Sequence, residues 1–176
     1  DDILSGGDGN DNVQGGTGDD SVFGDAGNDR LNTGEGNDQA FGGTGEDYIN
    51  TGSGDDLVKG GAGADKIVGG TGSDVIEGGE GNDHLWGGNW QADDASDTFI
   101  AVAGGGKDMI HDFETDHDIL DLSSFGLEYG DLDGLMQDQG WATVIDLSSL
   151  KDGQPGDKLI LKSVDKTDLD EENFLL

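Results

Sequence analysis

From Gly6 to Trp86 one apolar residue recurs every nine positions: Val13, Val22, Leu31, Ala40, Ile49, Val58, Ile67, Ile76 and Leu85. The residues on either side of it are mostly polar. Polar, apolar, polar over three residues predicts a short strand with one buried side chain. The residues between these strands are rich in glycine and read as turns. Each unit therefore predicts a turn of six residues followed by a strand of three. Two units make one coil of 18 residues with a strand on each side. Coils stacked one on another give an all-β fold, a parallel β-roll.

The period weakens after Trp86 without ending. Gly87-Gly88 opens a tenth loop, which residues 89–96 interrupt. The pattern resumes at Asp97-Thr98-Phe99-Ile100 and again from Ala103 to His111, where Asp108 and Ile110 hold the key places. Phe113 to Asp121 reads as a further copy, with Asp118 and Leu120. The roll is expected to span residues 1–122, regular over 6–86 and degenerate over 87–122. Beyond it the spacing of Leu132, Leu135 and Met136 predicts a short helix from Tyr129 to Asp138. Strands are predicted at Trp141 to Leu147 and Lys158 to Lys162, around a turn at 152–156. Residues 123–176 are expected to form a small C-terminal capping segment that hides the last open edge.

Composition changes the picture in three ways. With 40 acidic and only 8 basic residues among 176, the chain carries a formal charge of −32. That charge argues against nucleic acid or an anionic membrane as a partner and points to cations. The 35 glycines would ordinarily suggest a linker, but linkers do not hold register. There is no cysteine to staple the loops and no apolar run long enough for a membrane span. No secretory signal peptide is read at the N-terminus, and the opening Asp1-Asp2-Ile3-Leu4-Ser5 reads as the tail of an earlier repeat. The chain is therefore expected to be a piece of a longer protein.

The chemistry lies in the turns. Position six of the unit is aspartate in every regular copy: Asp11, Asp20, Asp29, Asp38, Asp47, Asp56, Asp65, Asp74 and Asp83. Position four is always glycine: Gly9, Gly18, Gly27, Gly36, Gly45, Gly54, Gly63, Gly72 and Gly81. Position two is Gly7, Gly16, Gly34, Gly43, Gly52, Gly61, Gly70 and Gly79, with Asp25 as the exception. Position one is glycine except at Thr33 and Thr51. Stacked coils would bring aspartates to about 4.8 Å, the strand spacing, where like charges repel. A hard cation held between loops removes the conflict. Carboxylates of two position-six residues and carbonyls of the glycines supply the six to eight oxygens that Ca²⁺ takes. Mg²⁺ holds its waters more tightly, and Zn²⁺ wants nitrogen or sulfur that these loops lack. Asp108 and Asp118 extend the set of candidate ligands. The odd and even loops enclose seven inferred calcium sites. One apolar side chain per unit is a thin core, so binding energy is expected to become folding energy. The calcium-free chain is expected to be disordered.

The nonapeptide resembles the calcium-binding repeat of RTX proteins. The stretch from Asp97 to Ser123 is similar to the C-terminal region of serralysin-type proteases and to the end of the R-modules of secreted mannuronan C5-epimerases. The resemblance implies a right-handed parallel β-roll, the RTX solenoid, that binds Ca²⁺ through position-six aspartates and early loop carbonyls. It also implies a secreted, extracellular protein exported by a type I secretion apparatus, with Asn173-Phe174-Leu175-Leu176 closing the signal. Asp25, the interruption at 89–96 and Asn173 depart from the family pattern.

Other chemistry is sparse. His84, His111 and His117 belong to no zinc-protease helix motif and read as surface residues. Asp116, Asp118 and Asp121 either hold a calcium ion at the end of the roll or cap turns. Position seven of alternate copies gives an outward column of Arg30, Tyr48, Lys66 and His84. Such a column suits an acidic polysaccharide such as alginate; ordinary outward strand residues are the plainer reading. Phe23, Phe41, Leu57 and Val75 face outward on the other side. The expected function is a non-catalytic calcium-binding module that serves secretion and stabilises an upstream catalytic domain. An epimerase, a lyase, a protease or a lipase would fit as parent, and a surface adhesin is the alternative.

Overall fold

A computed structural model of the chain describes residues 1–89, 95–150 and 153–176. Residues 90–94 of the interruption and Asp152 of the expected turn lie outside that description. Ten strands fill the regular part: β1 (Ile3–Asp8), β2 (Asn12–Thr17), β3 (Ser21–Ala26), β4 (Arg30–Glu35), β5 (Gln39–Thr44), β6 (Tyr48–Ser53), β7 (Leu57–Ala62), β8 (Lys66–Thr71), β9 (Val75–Glu80) and β10 (His84–Gly88). They alternate between two parallel sheets, so that β1, β3, β5, β7 and β9 neighbour one another and β2, β4, β6, β8 and β10 do likewise. This is the stacked-coil β-roll that the period predicts.

The strands are longer than the hydrophobic pattern shows. β1 to β9 each run six residues, through positions seven to nine of one copy and one to three of the next, and β10 runs five. In the second sheet Val13 pairs with Leu31, and the pairing resumes beyond position one with Gly16 against Gly34 and Thr17 against Glu35. Glycine carries no side chain, so alternation of polarity is silent there, while its backbone pairs as well as any other. The position-eight side chains from Val22 through Leu85 are almost fully buried between the sheets. Val13 and Leu4, in the first coil, are only partly covered.

The degenerate copies continue both sheets with β11 (Thr98–Ile100), β12 (Lys107–Ile110) and β13 (Ile119–Asp121). The helix α1 (Tyr129–Leu135) is followed directly by β14 (Met136–Asp138). The expected helix to Asp138 is thus corrected: Met136 turns out of it to pair antiparallel with Ile145 and to enter the core. Gly134, a poor helix former, sits at the break. The start is held by a capping box between Glu128 and Asp131.

The remaining strands are β15 (Ala142–Asp146), β16 (Lys158–Lys162) and β17 (Phe174–Leu175). Trp141 and Leu147 lie just outside β15, and Trp141 is more than half exposed. β16 pairs parallel with β12, and β17 pairs parallel with β13. The last segment thus adds strands to both sheets of the roll. No helix among the described residues is long and apolar enough to cross a membrane.

Candidate metal centres between stacked loops

A ladder of aspartates runs down each side of the roll. The backbone N–H of Asp11 donates to Oδ1 of Asp29 at 2.8 Å, and Asp29 donates to Asp47 at 2.7 Å. On the other side Asp20 donates to Asp38 and Asp38 to Asp56, each at 2.7 Å. Each of these rungs crosses one coil of 18 residues. The degenerate copies join in: Asp74 donates to Asp97, Asp97 to Asp118, and Asp83 to Asp108. One carboxylate oxygen is thereby fixed by the backbone. The second oxygens, Oδ2 of Asp11, Asp20, Asp29, Asp38, Asp47, Asp56, Asp65 and Asp83, are buried and receive no hydrogen bond. A buried anionic oxygen without a donor is costly unless it is protonated or meets a cation.

Backbone carbonyls converge on the same gaps. Gly34 and Gly36 have φ of 115° and 133°, which tightens the loop and leaves no room for a Cβ. A Cβ at Gly34 would strike the carbonyl oxygen of Gly16, and one at Gly36 that of Gly18, both one coil earlier. The carbonyls of positions two and four therefore face the following coil. From the other side comes the position-one carbonyl. An ideal Cβ on Gly15 would lie 2.5 Å from the Thr33 carbonyl oxygen and 2.7 Å from Oδ2 of Asp20. Each gap thus gathers oxygen donors, one carboxylate oxygen and several carbonyls. That donor set fits a hard divalent cation of calcium's coordination preference. The position-two and position-four glycines singled out by sequence all have positive φ, and Asp25 adopts φ 73° in the same place.

Three features were not read from sequence. The position-one carbonyls carry no side-chain signal. A second ladder runs through position five, where Asn28 donates its N–H to Oδ1 of Asn10 and Asn37 to Asp19, each at 2.9 Å. The recurring short Asn and Asp at position five could have revealed it. The third is the end of one ladder. β16 stacks Leu159 against Asp108, where the next aspartate would stand. The carboxylate of Asp157 is turned instead to the N–H groups of Gly104, Gly106 and Gln154.

Burial governs the acidity of the gaps. It pushes Asp65 up to about 7, with the Asp83 and Asp47 charges adding to the effect. Burial likewise raises Asp56 to about 6, Asp118 to about 7 and Asp108 to about 8. Asp118 accepts from Asp97 through one oxygen and from Glu114 through the other, and Asp121 accepts from Ser123. Both thus act as turn and ladder acceptors. Asp116 lines a shallow acidic cleft with His117, Asp170 and Glu172.

The outward column is real as a contiguous strip. Register places Arg30 beside Tyr48, Tyr48 beside Lys66, and Lys66 beside His84. The Arg30 guanidinium lies 4.5 Å from the Tyr48 ring centroid, and the Lys66 ammonium 5.4 Å from that of Trp86. Trp86 stacks on His111 at 4.0 Å, and His111 shares a 2.8 Å hydrogen bond with His84. Burial and the charges of His84, Lys162 and Lys66 hold His111 down to about 4. On the opposite sheet Phe23 stacks on Phe41 at 5.0 Å.

The chain shows a solved-structure likeness to the AlgE6R2 subunit of a mannuronan C5-epimerase from Azotobacter vinelandii. Identity is 26%, covering 74% of this chain and 88% of that one, with a TM-score of 0.54. The AlgE6R3 subunit of the epimerase from the same organism matches at 23% identity, covering 97% and 80%, with a TM-score of 0.42. The extracellular lipase LipA of Serratia marcescens matches at 16% identity, covering 96% of this chain and 38% of that one, with a TM-score of 0.42. No curated protein matches the chain. The model of the RTX calcium-binding nonapeptide repeat matches in four overlapping copies, at residues 1–31, 23–58, 32–67 and 59–89. With its nonapeptides stacked into a parallel roll and its loops walled by oxygen, the chain belongs to the RTX calcium-binding nonapeptide-repeat family.

Proposed function

We propose that this chain is a non-catalytic module whose fold is gated by calcium. The buried, donor-less Oδ2 atoms of the position-six aspartates carry this reading. Where calcium is scarce, those carboxylates and a charge of −32 keep the chain open. Where it reaches the 10⁻⁴–10⁻³ M range typical, roughly, of extracellular modules, ligation by the position-six aspartates and the loop carbonyls closes the roll. Residues 1–122 are the calcium roll, and 123–176 complete its end and carry the type I export signal. The module stabilises an attached domain of a larger secreted protein. Circular dichroism of the full chain tests the gate. A disordered spectrum in chelator that turns to β on adding calcium supports it; a full β spectrum in chelator at neutral pH overturns it.

The ladder of Arg30, Tyr48, Lys66, Trp86 and His111 favours a second role on the same scaffold. It sets cations and ring faces in line on an otherwise acidic body, which suits a linear acidic polysaccharide. The likeness to an epimerase subunit supports alginate as that polymer. Titration of the calcium-loaded module with alginate oligomers should show binding that Arg30→Ala and Lys66→Ala weaken. Equal binding by these variants would remove the column from the function.

A further inference from the structure

Position one of the unit is glycine in most copies for a steric reason. A Cβ there would crowd Oδ2 of the same copy's aspartate and the position-one carbonyl of the next coil. Thr33 and Thr51 break the rule in two successive coils of one side, and both are fully buried. A residue chosen only to fill the space would need no oxygen.

Each hydroxyl has a single proton to donate and two lone pairs. Thr33 Oγ1 donates to the Thr51 carbonyl at 2.8 Å, and Thr51 Oγ1 donates to the Gly69 carbonyl at 2.7 Å. Oδ2 of Asp38 and of Asp56, the aspartates of the same two loops, receive no hydrogen bond. Each loop thus brings a hydroxyl oxygen to the gap that its carboxylate faces, and the Thr51 hydroxyl also stands within hydrogen-bonding reach of the Asp56 carboxylate. A cation in the gap would meet the hydroxyl oxygen, the carboxylate oxygen and the position-one carbonyl of the next coil together.

We infer that Thr33 and Thr51 are calcium ligands: their hydroxyls add one oxygen to the gap between loops 33–38 and 51–56 and one to the gap between loops 51–56 and 69–74. This rests on the calcium reading above. These two gaps then hold calcium more tightly than those whose position one is glycine. They share loop 51–56, so filling one orders a loop of the other, and this part of the roll fills first.

Calorimetric calcium titration of the full chain, stripped with chelator, tests the assignment. Thr33→Val/Thr51→Val keeps the shape and removes the oxygens. Thr33→Gly/Thr51→Gly restores the residue of the other copies, which guards against a variant that fails to fold. Both should weaken two ions by about tenfold while the remaining ions bind as before. Thr33→Ser/Thr51→Ser should bind like the parent. Unchanged titrations in the valine and glycine variants overturn the assignment, as does tighter binding in the glycine variant, which would mean that threonine obstructs the gap. If the parent chain itself takes up no calcium, the broader reading fails instead.

Discussion

Asp47 donates its backbone N–H to Oδ1 of Asp65 at 2.8 Å across one full coil, which leaves Oδ2 of Asp65 buried and without a donor. One side chain thus does two jobs. Its first oxygen locks the register of neighbouring coils, and its second faces the gap.

Replacing Asp65 with Asn separates those jobs. The amide oxygen can still accept from Asp47, but the negative charge is gone. Asp65→Asn should raise the calcium needed for half-folding by several-fold, on the order of the loss of one charged ligand. In chelator the variant should hold more β structure than the parent, because a repulsive buried charge is gone. Calcium titration followed by circular dichroism reads both; a parent-like midpoint would remove Asp65 from the ligand set.

The raised carboxyls predict an unusual pH response of the calcium-free chain. Asp56, Asp65, Asp118 and Asp108 sit at about 6, 7, 7 and 8 in the roll, against about 3.9 when unfolded. The folded form therefore binds more protons between pH 4 and 8. The stability these groups permit is full below about pH 4 and is lost as pH rises through their folded values. His111, held down to about 4, works in the opposite sense as pH falls below about 6.5. Several carboxyls against one imidazole leave a net gain in acid. In chelator the β content read by circular dichroism should rise from pH 8 to pH 5, and a β content that falls over that range contradicts the assignment. Calcium affinity should drop over the same range, since protons and metal compete for the same oxygens.

Asp25 is one of two described non-glycine residues with positive φ, at 73°, in a place where other copies have glycine. Its carboxylate accepts from the Ser5 hydroxyl at an exposed site. Asp25→Gly should stabilise the calcium-loaded roll by about 1 kcal/mol, by relieving the left-handed conformation. A calcium-saturated denaturation curve that moves to lower denaturant would show that the Ser5 contact outweighs the strain.

The thin core should be sensitive to a single truncation. Ile67 is fully buried in the file of position-eight side chains. Ile67→Ala should cost about 2–4 kcal/mol and shift the folding midpoint to higher calcium. An unchanged midpoint would mean that the metal, not the core, sets the cooperativity of folding.

Much of this was legible because the signal repeats. The side chains at positions six and eight announce loop, strand and core, and Asp97, Asp108 and Asp118 keep their ladder places after the spacing fails. What stayed hidden was carried by the backbone. The strand halves through positions one to three show no polarity pattern, and the position-one carbonyls are invisible in any side-chain code. Local spacing places Met136 in a helix, yet its pairing with Ile145 is a contact made across the fold. The roles of Leu159 and Trp86 likewise depend on which coil lies beside them.

Because successive strands fall on opposite sheets, the roll obeys a parity rule. Removing two nonapeptides takes out one coil and returns every later residue to its own face. Removing one exchanges left for right: Lys66 and Trp86 would move away from Arg30 and Tyr48, and every later strand would arrive on the face opposite to its N-terminal neighbours. Lengths of 18 residues are therefore neutral edits, and lengths of nine are not. A deletion of residues 51–59 should split the cationic strip where a deletion of residues 42–59 leaves it shorter but in line, a difference that protection of the strip by a bound polyanion can register.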